Sequence, residues 1–117
     1  MTDTITIYHN PRCSKSRQTL SLIEDAGVSP SIHRYLDTPL TAVELEQLLK
    51  KLGINARNLL RKGEEAYKEN NLGDPSLSED ELIAAMVKHP KLIERPIVVK
   101  GSKAVLGRPP ENVLALL

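Results

Sequence analysis

A single thiol, Cys13, stands inside the run His9-Asn10-Pro11-Arg12-Cys13-Ser14-Lys15-Ser16-Arg17. Thiols react as thiolates, and at an ordinary pKa near ~8.5 only about 3% of a cysteine is ionised at pH 7. Nearby positive potential raises that fraction, and this run supplies it from two sources. Arg12, Lys15 and Arg17 cluster around the sulfur, with His9 four residues upstream. Asn10-Pro11 is also a turn signal that puts Cys13 at the start of a helix, where unpaired N–H groups and the macrodipole carry about half a positive charge. A pKa lowered by about two units would leave roughly three quarters of the thiol ionised at pH 7. A cysteine taken at random is more often an inert buried thiol. Here turn, helix start and charge coincide, and a nucleophilic thiolate is the expected chemistry.

The spacing narrows that chemistry. Dithiol oxidoreductases use C-x-x-C, whereas Cys13-Ser14-Lys15-Ser16 puts a hydroxyl where the second thiol would stand. A mixed disulfide on Cys13 cannot then be resolved within the chain, and any redox cycle needs a thiol from outside. Cysteine phosphatase loops are built on C-x5-R, but the first arginine after Cys13 is Arg17, four residues on. One cysteine excludes an internal disulfide and four-thiolate zinc or iron–sulfur centres. The sequence has no glycine-rich phosphate loop and no cluster of metal ligands, so no metal is expected. Glu79, Asp80 and Glu81 read as first-turn helix charges. His33 and His89 are expected to be structural, and Arg57 an exposed helix residue.

The elements that must hold Cys13 follow from patterning. Ile5-Thr6-Ile7-Tyr8 is β-branched enough for a strand, and a helix is expected from Cys13 or Ser14, with Leu20, Ile23 and Ala26 buried and Gly27 closing it. Ser31 to Leu36 forms a second strand, ended by Asp37-Thr38-Pro39. This βαβ unit puts Cys13 at a strand-to-helix junction. Thr41 and Glu44 form a capping box before Leu45, Leu48, Leu49 and Leu52, which repeat at helical spacing. Ala56 to Leu60 is a further helical piece with Arg57 and Arg61 on one face, and Glu64 to Asn71 another. Ser78 and Glu81 cap a helix that ends at His89-Pro90. Ile97 to Lys100 and Lys103 to Leu106, joined by Gly101-Ser102, fit a hairpin with a type II′ turn. A last helix starts at Glu111. The order βαβ, helices, ββα predicts an α/β fold with a four-stranded mixed sheet flanked by helices.

With 117 residues, 40% hydrophobic and 26% charged, the chain is expected to form one domain, residues 1–117, with a helical insertion at roughly 40–90. A formal net charge of +1 argues against a general nucleic-acid binder. Phe and Trp are absent, and Tyr8, Tyr35 and Tyr67 are the only aromatics, which disfavours recognition by base stacking. No apolar run approaches the ~18 residues of a membrane span, and Met1 to Ile7 shows no secretory signal. No membrane partner is expected. A lone cysteine fits a reducing, cytoplasmic setting, and a monomer is expected.

The run His9-Asn10-Pro11-Arg12-Cys13-Ser14-Lys15-Ser16-Arg17 resembles the motif H-N-P-x-C-x-x-S-R of the glutaredoxin-coupled arsenate reductases. The resemblance continues through Leu59-Leu60-Arg61-Lys62, His89-Pro90, Arg95-Pro96-Ile97-Val98 and Gly107-Arg108-Pro109, essentially the whole chain. It implies a thioredoxin-like fold with a helical insertion and reduction of arsenate to arsenite. Cys13 then corresponds to the nucleophile that attacks arsenic(V). Arg61, Arg95 and Arg108 correspond to the arginines that hold the oxyanion, His9 and Ser16 to residues that favour the thiolate, and Arg17 to the same motif. Glutathione as co-substrate and glutaredoxin as partner are implied, with no bound cofactor. The fold analogy also implies a cis peptide at Arg95-Pro96. Some members continue past the position of Leu117, so tail-dependent features are not expected here.

Elementary chemistry agrees with that carry-over. A thiolate meeting an oxyanion is a like-charge encounter that cations must offset, and arginine's planar fork donates paired hydrogen bonds to tetrahedral oxyanions while staying charged. Two alternatives remain at this point. One is a thiol-dependent reductase of another oxyanion or of mixed disulfides. The other is a regulatory thioredoxin-fold module, whose redox-sensing kind carries the C-x-x-C that Ser16 breaks.

Overall fold

Buried Ile5 and Ile7 alternate with half-buried Thr6 and Tyr8 along β1 (Ile5–Tyr8), the period of a pleated strand. The computed structural model describes residues 4–94 and 96–117, and β1 lies inside a four-stranded sheet of order β2-β1-β3-β4. β2 (Ser31–His33) runs parallel to β1, while β3 (Ile97–Lys100) and β4 (Lys103–Leu106) are antiparallel to their neighbours. Ile7 faces Val98 across the ladder. The Gly101-Ser102 turn has Gly101 at φ 61 and no positive φ at Ser102, as a type II′ turn requires.

The chain divides into two compact units, Met1–Thr38 with Arg95–Leu117, and Pro39–Glu94. The first holds the sheet, α1 (Ser14–Asp25) and a closing 3₁₀ helix, Pro110–Leu116. Ile5, Ile7, Ile23, Val98, Val113 and Leu116 form its core, and each such side chain removed from water contributes about 1.5–3 kcal/mol. The last element is a 3₁₀ helix in place of the expected α-helix. In that geometry residues three apart eclipse, and Pro110, Val113 and Leu116 are the buried stripe. α1 buries Ser16, Thr19 and Ile23; Leu20 is half-buried and Ala26, at the C-cap, is exposed. Gly27, at φ 81, ends α1 by donating to Glu24 O at 2.9 Å. β2 stops at His33, short of the expected Leu36, because the Arg34 carbonyl accepts from Asp37 N and Thr38 N at 3.0 and 2.9 Å and turns the chain.

The second unit is helical. α2 (Ala42–Leu52) opens on the complete Thr41–Glu44 capping box and buries Leu45, Leu48 and Leu49. α5 (Glu79–Lys88) opens on the Ser78–Glu81 box and buries Leu82, Ile83 and Met86. α2 and the one-turn α3 (Ala56–Leu59) both pack on α5. The Glu79 carboxylate accepts the Ala56 N–H at 2.9 and 3.1 Å, capping α3 from a distant helix. α4 (Glu65–Glu69) is shorter than the expected 64–71. Arg57 is half-buried, contrary to expectation. Its guanidinium donates to Leu72 O at 3.0 Å and Asp74 O at 2.9 Å, pinning the loop after α4.

Candidate active site

Cys13 is the N-cap of α1, with extended backbone at φ −93 and ψ 123. The loop that delivers it is built by local hydrogen bonds. Cys13 N donates to Asn10 O at 3.0 Å, and Arg12 N donates to Asn10 Oδ1 at 3.0 Å, an Asx turn. The Arg17 guanidinium donates to Pro11 O at 2.9 Å, tying the first turn of α1 back onto the loop. The thiol is half-buried, poised between solvent and the helix start.

Ser16 and His9 lie beneath the loop, both buried. Ser16 Oγ lies 2.6 Å from His9 Nδ1 and accepts the Asn10 N–H at 3.1 Å. His9 N donates to His33 O at 2.8 Å, so the loop is also fastened to the end of β2. Burial holds the His9 pKa below its ordinary 6.5, and the charges of Arg34 and Arg17 add to that effect. The ring is neutral at pH 7, so His9 supplies a hydrogen bond where the sequence offered a positive charge. Because Ser16 Oγ already accepts from Asn10, its own proton is free to be donated to Nδ1, the assignment that suits a neutral imidazole.

The cation beside the sulfur comes from the far end of the chain. Arg108 Nη2 lies 3.9 Å from Cys13 Sγ. Gly107 sets that approach, since a Cβ there would fall 2.5 Å from Thr19 Oγ1 and 2.7 Å from Pro96 Cγ. Gly107 N donates to Pro96 O at 2.9 Å, and the next peptide, Arg108-Pro109, is cis. The structure thus brings together Cys13, His9, Ser16, Arg17 and Arg108. Arg95 lies outside the described residues, and with it the expected cis bond at Arg95-Pro96.

Arg61 belongs to the second unit. It follows α3 in extended chain, where Leu60 bridges Ile93 and Arg61 N donates to Leu92 O at 2.7 Å. Its guanidinium is held between two carboxylates, Nε at 3.5 Å from Glu64 and Nη1 at 3.6 Å from Glu94. Sequence reasoning missed these two partners, and it missed Asn10 as the organiser of the loop and Arg34 as a charge facing His9. Asn10 carried a signal, the Asn-Pro turn. Arg34 carried none, because only the β1–β2 pairing brings it near.

A β2-β1-β3-β4 mixed sheet with a thiol capping the helix after its first strand is the thioredoxin-like arrangement, here with a serine in place of the second thiol. Comparison with known proteins gives the family. The ArsC family model matches residues 8–116, and the chain belongs to that family. It is 58% identical over 118 residues to the uncharacterized protein YfgD of Escherichia coli strain K12, covering 100% of this chain and 99% of the relative. It is 50% identical over 114 residues to the arsenate reductase of Haemophilus influenzae, covering 97% and 98%. The solved structure of an arsenate reductase from Vibrio cholerae matches with a TM-score of 0.96 at 53% identity, over 100% of both chains. Among the described residues no helix is long and apolar enough to cross a membrane.

Proposed function

We propose that this protein is an oxidoreductase that reduces arsenate to arsenite, with Cys13 as nucleophile and glutathione and glutaredoxin as the source of electrons. The observation that carries the reading is the Arg108 guanidinium 3.9 Å from Cys13 Sγ. A fixed cation beside sulfur favours the thiolate and offsets its repulsion from an incoming oxyanion. Arg108 is proposed to hold the oxyanion, and Arg61 and Arg95 to do the same by their match to the family's motifs. Family membership over residues 8–116 and relatives named arsenate reductase support the substrate.

In the proposed reaction Cys13 thiolate attacks arsenic(V), a sulfur–arsenic bond forms and a protonated arsenate oxygen leaves as water. Glutathione displaces a second oxygen. Glutaredoxin thiolate then takes the glutathione sulfur as a disulfide, and the electron pair of the broken sulfur–arsenic bond stays on arsenic, now arsenic(III). Water releases arsenite and regenerates Cys13. In sum two external thiols lose one electron and one proton each, and one arsenate oxygen ends as water. Ser16 replaces a resolving thiol, which is why the cycle needs outside reductant. His9, Ser16 and Arg17 act by fixing the loop that carries Cys13. The reaction needs one chain and no bound cofactor, and a glutathione-dependent cycle suits the cytoplasm.

The test is arsenate-dependent NADPH oxidation coupled through glutaredoxin and glutathione. Cys13→Ser is expected to reduce it to the enzyme-free background. Turnover by Cys13→Ser at the wild-type rate contradicts the proposal.

A further inference from the structure

A small cleft adjoins the Cys13 loop, its lining including His9, Asn10, Arg12, Arg34, Leu36 and Asp37. The loop before α1 forms one wall and the turn at Arg34–Thr38 the other. The two are joined by the His9 N–H donated to His33 O, and His33 Nε2 meets Thr38 O at 2.8 Å, bracing the turn. Two guanidinium side chains and one carboxylate therefore share a built depression one residue from the reactive sulfur. Arg12, Arg34 and Asp37 are exposed, and among the described residues none of the three is in a salt bridge. All three line the cleft with their charged side chains exposed. Arg17, by contrast, is occupied on Pro11 O.

We propose that this cleft binds the α-amino-acid end of the thiol co-substrate, with Arg34 and Arg12 taking its carboxylate and Asp37 its ammonium group. The inference deepens the functional reading above and rests on it for the identity of the thiol. Its basis is complementarity. A zwitterionic head group presents one anion and one cation a few bonds apart, and the cleft presents the opposite pair. Arginine suits the carboxylate because its fork donates two parallel hydrogen bonds. Arg34 also faces His9, whose proton affinity it lowers. A carboxylate seated on Arg34 neutralises that effect, so occupancy raises the His9 pKa and gives a spectroscopic readout independent of turnover.

Binding of S-methylglutathione, which has the head group but no free thiol, tests the cleft directly by NMR titration of the His9 ring. Wild type is expected to bind it and to show an upward shift of the His9 titration. Arg34→Glu is expected to weaken binding by about tenfold or more, the scale of one lost charge-assisted pair. Asp37→Asn is expected to erase the preference for S-methylglutathione over its deaminated analogue. In arsenate turnover, Arg34→Glu is expected to lower kcat/KM for glutathione relative to kcat/KM for 2-mercaptoethanol, which lacks the head group, by a similar factor. Equal binding by wild type and Arg34→Glu overturns the cleft, whatever the enzyme assay gives. Absence of arsenate turnover by wild type with either thiol overturns the functional reading instead, and leaves the binding titration to decide the cleft.

Discussion

His9 shows how far a side chain's surroundings decide its charge. In the sequence it is one more basic residue beside Cys13; in the fold it is buried, faces Arg34 and Arg17, and stays neutral at pH 7. The consequence for stability has a definite sign. The unfolded chain protonates His9 near its ordinary 6.5, whereas the folded chain resists protonation to lower pH. The His9 contribution is therefore fully present above about pH 6.5 and is lost as pH falls through the folded pKa. Urea unfolding is expected to show a smaller loss of stability between about pH 7 and about pH 5 in His9→Gln than in wild type. An identical loss contradicts the assignment. At this scale the sequence was informative about which groups gather near the thiol and silent about where each points. Arg17 proves to be a latch on Pro11, and Arg108 proves to be the cation beside the sulfur.

Helices and strands were legible where a local rule fixes them. Both capping boxes, Thr41–Glu44 and Ser78–Glu81, form as their spacing requires, and Gly27 and Gly53 end α1 and α2 in left-handed backbone. Departures occur where a partner distant in sequence competes with local preference. The Arg34 carbonyl ends β2 early by recruiting two amides, and the C-terminal segment winds as a 3₁₀ helix because the core takes Pro110, Val113 and Leu116. Arg57 is half-buried for the same reason, since its acceptors, the Leu72 and Asp74 carbonyls, come from the chain beyond α4. Gly107 is a tight junction between elements, where β4 ends against Thr19 of α1 and Pro96. Gly107→Ala is expected to destabilise the protein by about 1–3 kcal/mol, as overpacking does, and to displace Arg108. Chemical denaturation measures the first effect, and unchanged stability contradicts the packing described.

Across the whole chain, the decisive contact joins residues 95 positions apart, Cys13 and Arg108. β1 carries one to the end of the sheet and the β3–β4 hairpin returns the other, so strand order does what no local motif can. Sequence patterning predicted that sheet, and the family resemblance picked out Arg61, Arg95 and Arg108 together, but only the pairing of β1 with β3 puts the Arg108 guanidinium against sulfur. Arg61 has a different setting, clasped by Glu64 and Glu94 within its own unit. In the proposed reaction Arg108 both favours the Cys13 thiolate and receives the oxyanion that Cys13 attacks. Alkylation of Cys13 by iodoacetamide at neutral pH, in wild type and Arg108→Ala, with and without arsenate, tests both halves at once. Wild type is expected to alkylate fast and to be slowed by arsenate, and Arg108→Ala to react about tenfold more slowly with little protection by arsenate. Equal rates in the two proteins, equally protected by arsenate, would contradict both roles of Arg108.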